Sequence, residues 1–525
     1  MSINMSIEPA QTELPSQFAD RLGAVYASAV SQKHKKEQGQ FFTPVEIASL
    51  MATYSDFEGD AVRILDPGCG SAVLCCALVE HLVHSNKDLK QVDLVAYETD
   101  ADLIPFSKRA LQYLKEWAGE KGVEIHTTLY KEDFVLHKAG CFDEVGNLFA
   151  RPTDLFDIVI SNPPYFKLSI DDKRVKVAKV VVNGHPNIYA IFMALAAKLL
   201  ADNGELIFIT PRSYAAGRYF KAFREYFFKR IDLEKVHLFV SRKETFSRDK
   251  VLQETLIIKG TKTRHPKPRV LISSSEGIKD LHAPHFKTFA KHHIIDIHSK
   301  EKILYLPTSE YEEKVLNIFR SWTGKLAKYG INISTGPVVA FRCRDHISEY
   351  FENGSVKVAP LYWLHNVKQM ALEWPVHKKS KGQYIRMNEK SAHVLIPNRN
   401  YVLLRRFSSK DDKHRLVAAP YFASFSSSKY IGVENKVNYI YRANGQLDSR
   451  EVIGLCALLN SRLFDTYFRI FNGNVNVSAT ELREMPLPPL EIIHLIGDTI
   501  KDLQDFSLEK INEIVNRQLE PTYQP

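Results

Sequence analysis

The chain has 525 residues, so two or three domains are expected rather than one. Hydrophobic residues make up 45% and charged residues 25%, an ordinary globular balance that excludes a wholly disordered chain. The formal net charge of +9 fits a polyanionic partner without requiring one, and no apolar run is long enough to span a bilayer, Ile188 to Leu200 being short and carrying Lys198.

Met1 to Asp20 is polar and carries acids, unlike a secretory signal, so a cytoplasmic protein with no membrane partner is expected. Met1 to Lys36 reads as a flexible start and then a helix, closing on the basic cluster Lys33-His34-Lys35-Lys36. From Gly39 to about Gly260, β-type runs alternate with helical stretches. Strands are predicted at Ala61–Leu65, Val92–Ala96, Phe156–Ile160, Glu205–Thr210 and Leu252–Lys259. Helices are predicted at Val73–His84, Ala101–Gly119, Ile188–Leu200 and Tyr219–Phe228. This alternation predicts an α/β fold with a parallel, doubly wound sheet.

The pattern changes after Gly260. Thr261–Arg269 is basic with two prolines and reads as a linker, and the remainder is an irregular mixture of β and loop. Leu482–Leu490 holds three prolines and reads as an extended loop, and Ile492–Leu519 has the apolar spacing of one or two helices. Two domains are therefore expected, residues 1–260 and 261–525. The six cysteines are scattered with no CxxC pair, which predicts small buried thiols rather than disulfides or metal ligands.

Three signals mark a ligand cleft. Asp66-Pro67-Gly68-Cys69-Gly70 is an acid and a glycine-rich turn between a strand and a helix, where backbone can pass close to a ligand. It is neither the three-glycine dinucleotide pattern nor a P-loop. Glu98 closes the next strand, where a carboxylate can accept hydrogen bonds from ribose hydroxyls; alone it could be a strand-end acid facing water. Asp133-Phe134 follows a short strand, where an acid beside an aromatic could bind an adenine amino group and cover its ring; alone it could be an ordinary turn aspartate.

The decisive motif is Asn162-Pro163-Pro164-Tyr165, delivered by the buried strand Asp157–Ile160 to the sheet edge where open α/β sheets bind ligands. Prolines remove donors and stiffen the loop, holding a neighbouring carbonyl in place. With these motifs in this order, the chain resembles the γ-arranged N6-adenine DNA methyltransferases. Its C-terminal part is similar to TaqI-like and PstI-like type II modification enzymes, through Tyr401–Ser408 and Asn472–Thr480.

The resemblance implies a Rossmann-like methyltransferase sheet followed by a mixed α+β target recognition domain. It implies S-adenosylmethionine as cofactor, held by Phe42, Thr43, Asp66, Gly68, Gly70, Glu98, Asp133 and Phe134. It implies catalysis by Asn162, Pro163, Pro164 and Tyr165 on an adenine flipped out of double-stranded DNA, with Tyr165 and Phe246 stacking on its two faces. No metal is expected. A monomer is expected, and a cognate restriction endonuclease, if there is one, would be separately encoded.

After Gly260, basic and aromatic residues interleave at Phe341–Arg344, His377–Lys379 and Leu404–Phe407 through Lys413–Arg415, which suits phosphate and base-edge contacts. The amide-rich Asn472–Asn476 could read adenine edges or simply turn the chain. Competing readings are a methylating subunit of a larger restriction or phage-defence complex, a protein glutamine methyltransferase, and a silent DNA-binding module. The long C-terminal half argues against the second of these, and the intact motif set against the third.

Overall fold

The computed structural model describes residues 7–31, 33–34, 39–142, 154–182, 184, 186–239, 255–299, 301–349, 357–379, 381–408, 412–472, 476–503 and 507–522. The chain forms two compact units, Met1–Thr308 and Ser309–Pro525.

The first unit is built on a nine-stranded sheet. Its strands are β1 (Ala61–Asp66), β2 (Gln91–Tyr97), β3 (Glu124–Tyr130), β4 (Phe156–Ser161), β5 (Leu200–Pro211), β6 (Asp232–Phe239), β7 (Thr255–Thr261), β8 (Arg269–Ser275) and β9 (His285–Ala290). The order is β3-β2-β1-β4-β5-β7-β6-β8-β9. Strands β1 to β5 are parallel neighbours, as the alternation predicts. The order reverses beside β1, between β2 and β4, which opens a crevice at the strands' C-terminal ends. Helices cover both faces, so two separate apolar layers form against the sheet. The central strands are apolar on both sides for that reason.

The main helices are α1 (Pro15–Ala29), α2 (Val45–Ala52), α3 (Val73–Ser85), α4 (Ile104–Gly119), α5 (Ile188–Leu199) and α6 (Lys221–Phe228). Helix α5 is apolar all round, and all of it except Lys198 is buried.

The far side of the sheet departs from the predicted parallel layout. Strand β7 runs antiparallel to both β5 and β6, and β6 is a strand where none was predicted. The expected linker at Thr261–Arg269 does not end the sheet, because β8 pairs parallel with β6 and β9 antiparallel with β8. Its two lysines are held by the sheet: Lys267 Nζ meets Glu234 at 2.8 Å, and Lys262 Nζ donates to the Leu200 carbonyl at 2.5 Å. The division between units therefore falls after Thr308 rather than at Gly260.

The second unit is α+β. Its four-stranded antiparallel sheet runs in the order Ile331–Thr335, Val437–Arg442, Tyr401–Arg405, Ala418–Tyr421. A five-stranded sheet contains Ile347–Ser348, Tyr384–Arg386 and Val358–Tyr362. The C-terminal stretch forms two helices, Leu490–Lys501 and Leu508–Leu519. The first crosses helix Ser449–Asn460 through paired glycines. A Cβ on Gly454 would lie 2.1 Å from the Ile493 carbonyl oxygen, and one on Gly497 2.1 Å from that of Arg450. All six cysteines are free, and all but Cys141 are buried. Among the described residues, no helix is long and apolar enough to cross a membrane.

Candidate active site

A cleft of about 770 Å3, open to solvent, lies at the C-terminal ends of β1, β2 and β4. Its walls bring together Phe42, Gly68, Gly70, Glu98, Asp133, Phe134, Asn162 and Pro164, residues from five separate segments of the chain.

The glycine turn is shaped from beneath. Asp66 is fully buried; it accepts from the Gly68 amide at 3.2 Å and from the Cys75 thiol at 3.4 Å. Burial pushes its carboxyl up to about 7. Asp66 thus acts on the loop rather than facing the cleft. Gly70 takes φ +55°, a left-handed backbone that a side chain disfavours. Its amide donates to Glu98 Oε2 at 3.1 Å, while Glu98 Oε1 accepts from the Asp100 amide at 2.8 Å. Burial raises Glu98 to about 6.

Asp133 caps the short helix Phe134–His137 through the Leu136 amide at 3.0 Å, and its second oxygen faces the Arg174 guanidinium at 3.4 Å. Phe134 is buried, edge-on to Tyr97 and tilted against Phe192 on α5.

The segment 39–43 lies over the Asn162–Tyr165 loop. Asn162 Nδ2 donates to the Phe41 carbonyl at 2.8 Å and to Thr43 Oγ1 at 3.0 Å. Turning the amide over would set its oxygen against that carbonyl, so this network fixes which end is the acceptor. Oδ1 accepts one hydrogen bond, from the Tyr165 hydroxyl at 2.6 Å, and keeps a second lone pair. The same hydroxyl reaches the Ile209 carbonyl at 3.0 Å.

Tyr165 is buried, with Phe41 stacked on it at 5.3 Å and Tyr189 edge-on at 6.2 Å. Phe41 thus covers one face of the Tyr165 ring, which the family resemblance implies as a stacking surface for the base. Phe246, the other expected stacking residue, lies outside the described residues.

Sequence reasoning missed the ties that hold this segment down. Asp100 accepts from Tyr26 Oη at 2.5 Å, His34 Nε2 at 2.9 Å and Gln40 Nε2 at 2.8 Å. These bonds hold its carboxyl below the usual range against the opposing effect of burial. Asp100 closes the strand-end tetrad with Glu98, which was its only signal. Arg174, Tyr97 and Phe192 also line the cleft and carry no motif.

Two polar atoms on the cleft wall, Gln40 Oε1 and Tyr97 Oη, are buried with no hydrogen-bond partner among the described residues. Buried polar atoms of this kind fit a cleft built for a polar ligand. No group of three or more His, Cys, Asp or Glu residues suited to a metal occurs among the described residues.

Residues 85–246 match the family model for Eco57I restriction-modification methylases. The chain is 33% identical over 467 residues to type II methyltransferase M.BsuBI of Bacillus subtilis, covering 89% of this chain and 90% of that one. It is 31% identical over 515 residues to type II methyltransferase M.PstI of Providencia stuartii, covering 97% and 99%. Among solved structures, the type IIG restriction endonuclease BpuSI matches with a TM-score of 0.45 and 13% identity, over 97% of this chain and 68% of that one.

Proposed function

This chain belongs to the type II restriction-modification methyltransferases, and from that premise we propose that it methylates N6 of adenine in a specific sequence of double-stranded DNA. The observation that carries the reading is the fixed Asn162 amide, held by Phe41 and Thr43 so that a hydrogen-bond acceptor, not a donor, is turned away from them.

An adenine amino nitrogen is a poor nucleophile because its lone pair is delocalised into the ring. Asn162 Oδ1, with its spare lone pair, and the Pro163 carbonyl would each take one amino hydrogen. The nitrogen is then free to become tetrahedral, with its lone pair turned out of the ring plane. As the new carbon–nitrogen bond forms, the donor's methyl–sulfur bond would break with its electron pair left on sulfur, and the positively charged amino group would then release one of its hydrogens as a proton to solvent. These acceptors are in place before charge develops, which is where the catalytic gain arises.

S-adenosylmethionine fits the cleft: Glu98 would take its ribose hydroxyls, Asp133 its adenine amino group and Phe134 its ring, while Phe42 and the Gly68–Gly70 turn would border it. When bound it supplies an electrophilic methyl group on a sulfonium. Asp66 supports this by shaping the turn, and Thr43 by holding Asn162.

The base must leave the duplex to reach Asn162. Its approach to Tyr165 requires the Phe41 ring to swing aside, and Phe246 is proposed for the opposite face of the base. The second unit is proposed to read the DNA sequence. The test is incubation of the purified protein with plasmid DNA and methyl-labelled S-adenosylmethionine, followed by nucleoside analysis. Label in N6-methyladenine is expected; label in a methylated cytosine would refute the proposal.

A further inference from the structure

The basic and aromatic sets of the second unit are not equivalent in the structure. Arg405 Nε donates to the Val367 carbonyl at 2.8 Å, and Arg406 Nη1 to the Asn435 carbonyl at 2.9 Å. Arg415 is fully buried, bonded to Ser408 and to Asn472, whose amide is therefore committed to the interior. These arginines build the unit.

The Phe341 turn is different. Among the described residues, no large hydrophobic side chain is more exposed than Phe341, at 78%. A ring left in water gives up the burial energy that most phenylalanines recover. The turn that carries it is rigid. The Arg342 and Cys343 amides both donate to the Val339 carbonyl, at 2.9 and 3.1 Å, and the His346 amide donates to Cys343 at 2.9 Å. Val338 and Cys343 are buried on either side and anchor it. Arg342 leans over the Phe341 ring, its guanidinium carbon 5.4 Å from the centroid. Neither Arg342 nor Arg344 has an ion pair or a carbonyl partner among the described residues, and Asp345 offsets their charge only in part.

We infer that this turn is a wedge for duplex DNA, with Phe341 entering between two base pairs while Arg342 and Arg344 hold the flanking phosphates. The inference rests on the reading that the chain acts on double-stranded DNA. A preformed turn inserts its ring without first having to order, and two guanidinium groups with no ion pair among the described residues match the charge of the backbone. Unstacking one step lengthens and unwinds the duplex there, which makes insertion measurable without knowing the recognition sequence.

The experiment uses the full chain and a closed circular plasmid relaxed by a topoisomerase at saturating protein, without methyl donor. Wild type is expected to shift the linking number. Phe341→Ala should lose more than half of that shift while still binding plasmid, and Phe341→Trp should restore it. Arg342→Ala combined with Arg344→Ala should flatten the dependence of log affinity on log salt by about 2, one step for each lost phosphate contact. A Phe341→Ala protein that unwinds plasmid as wild type does, or wild type that binds without unwinding, would overturn the wedge and leave the methyltransferase reading standing. Wild type that fails to bind plasmid would overturn the DNA reading beneath it.

Discussion

Tyr165→Phe separates two roles that the sequence alone cannot tell apart. The substitution keeps the ring and removes only the hydroxyl, which donates to Asn162 Oδ1 at 2.6 Å and reaches the Ile209 carbonyl at 3.0 Å. If Tyr165 acts only as a ring for stacking, turnover should stay near wild type. The geometry indicates a positioning role as well. Losing a hydrogen bond of this kind costs about 1 kcal/mol. The cost falls on the Asn162 amide, which keeps its two bonds from Nδ2 but loses the one at Oδ1. At about 1.4 kcal/mol per tenfold, kcat should fall about five- to tenfold. Single-turnover methylation of plasmid DNA at saturating cofactor reads this directly, with cofactor Kd from calorimetry expected to be unchanged. Wild-type kcat in a Tyr165→Phe protein that is correctly folded would refute the positioning argument. An equal loss in cofactor affinity would show that the hydroxyl acts on the cleft instead.

Two further outcomes follow from other parts of the molecule. Burial raises Glu98 to about 6, and the ionised carboxylate is the better acceptor for ribose hydroxyls, so cofactor affinity should be full above pH 7 and fall as pH drops through about 6. Titration by calorimetry across that range should show the fall in wild type and a flat, weaker profile in Glu98→Gln; a wild-type affinity independent of pH would contradict it. Gly454→Ala would set a methyl 2.1 Å from the Ile493 carbonyl oxygen, and overpacking of this order costs about 1–3 kcal/mol, so the Tm of the protein should drop by several degrees in a thermal melt. An unchanged Tm would mean that the two helices separate freely.

Much of the first unit was legible because its signals are local. The period of apolar residues in β1, β2, β4 and α5, and the turn chemistry of Asp66–Gly70, depend on near neighbours in the chain. What escaped was set by pairing across long separations. Strand β6 has the burial pattern of a sheet strand only because β7 and β8 flank it, and the proline-bearing basic stretch after β7 looked like a linker although its lysines are tied to Glu234 and Leu200. The site shows the same limit. Glu98 and Asn162 stood out as motif residues, whereas Asp100 gains its role from Tyr26, His34 and Gln40, which only folding brings to it. The covering of Tyr165 by Phe41 could not be read either, since it depends on where a segment more than a hundred residues earlier comes to rest.

In the proposed reaction the Asn162 amide, held by Phe41 and Thr43, directs methylation to adenine N6 in one DNA sequence. Long-read mapping of modified bases tests it most directly, in DNA from cells expressing wild type or Asn162→Ala. N6-methyladenine is expected at one position of a single recurring sequence with wild type, and none above background with Asn162→Ala while cofactor binding by the purified variant persists. Cytosine modification with wild type, or the same adenine pattern with Asn162→Ala, would contradict it.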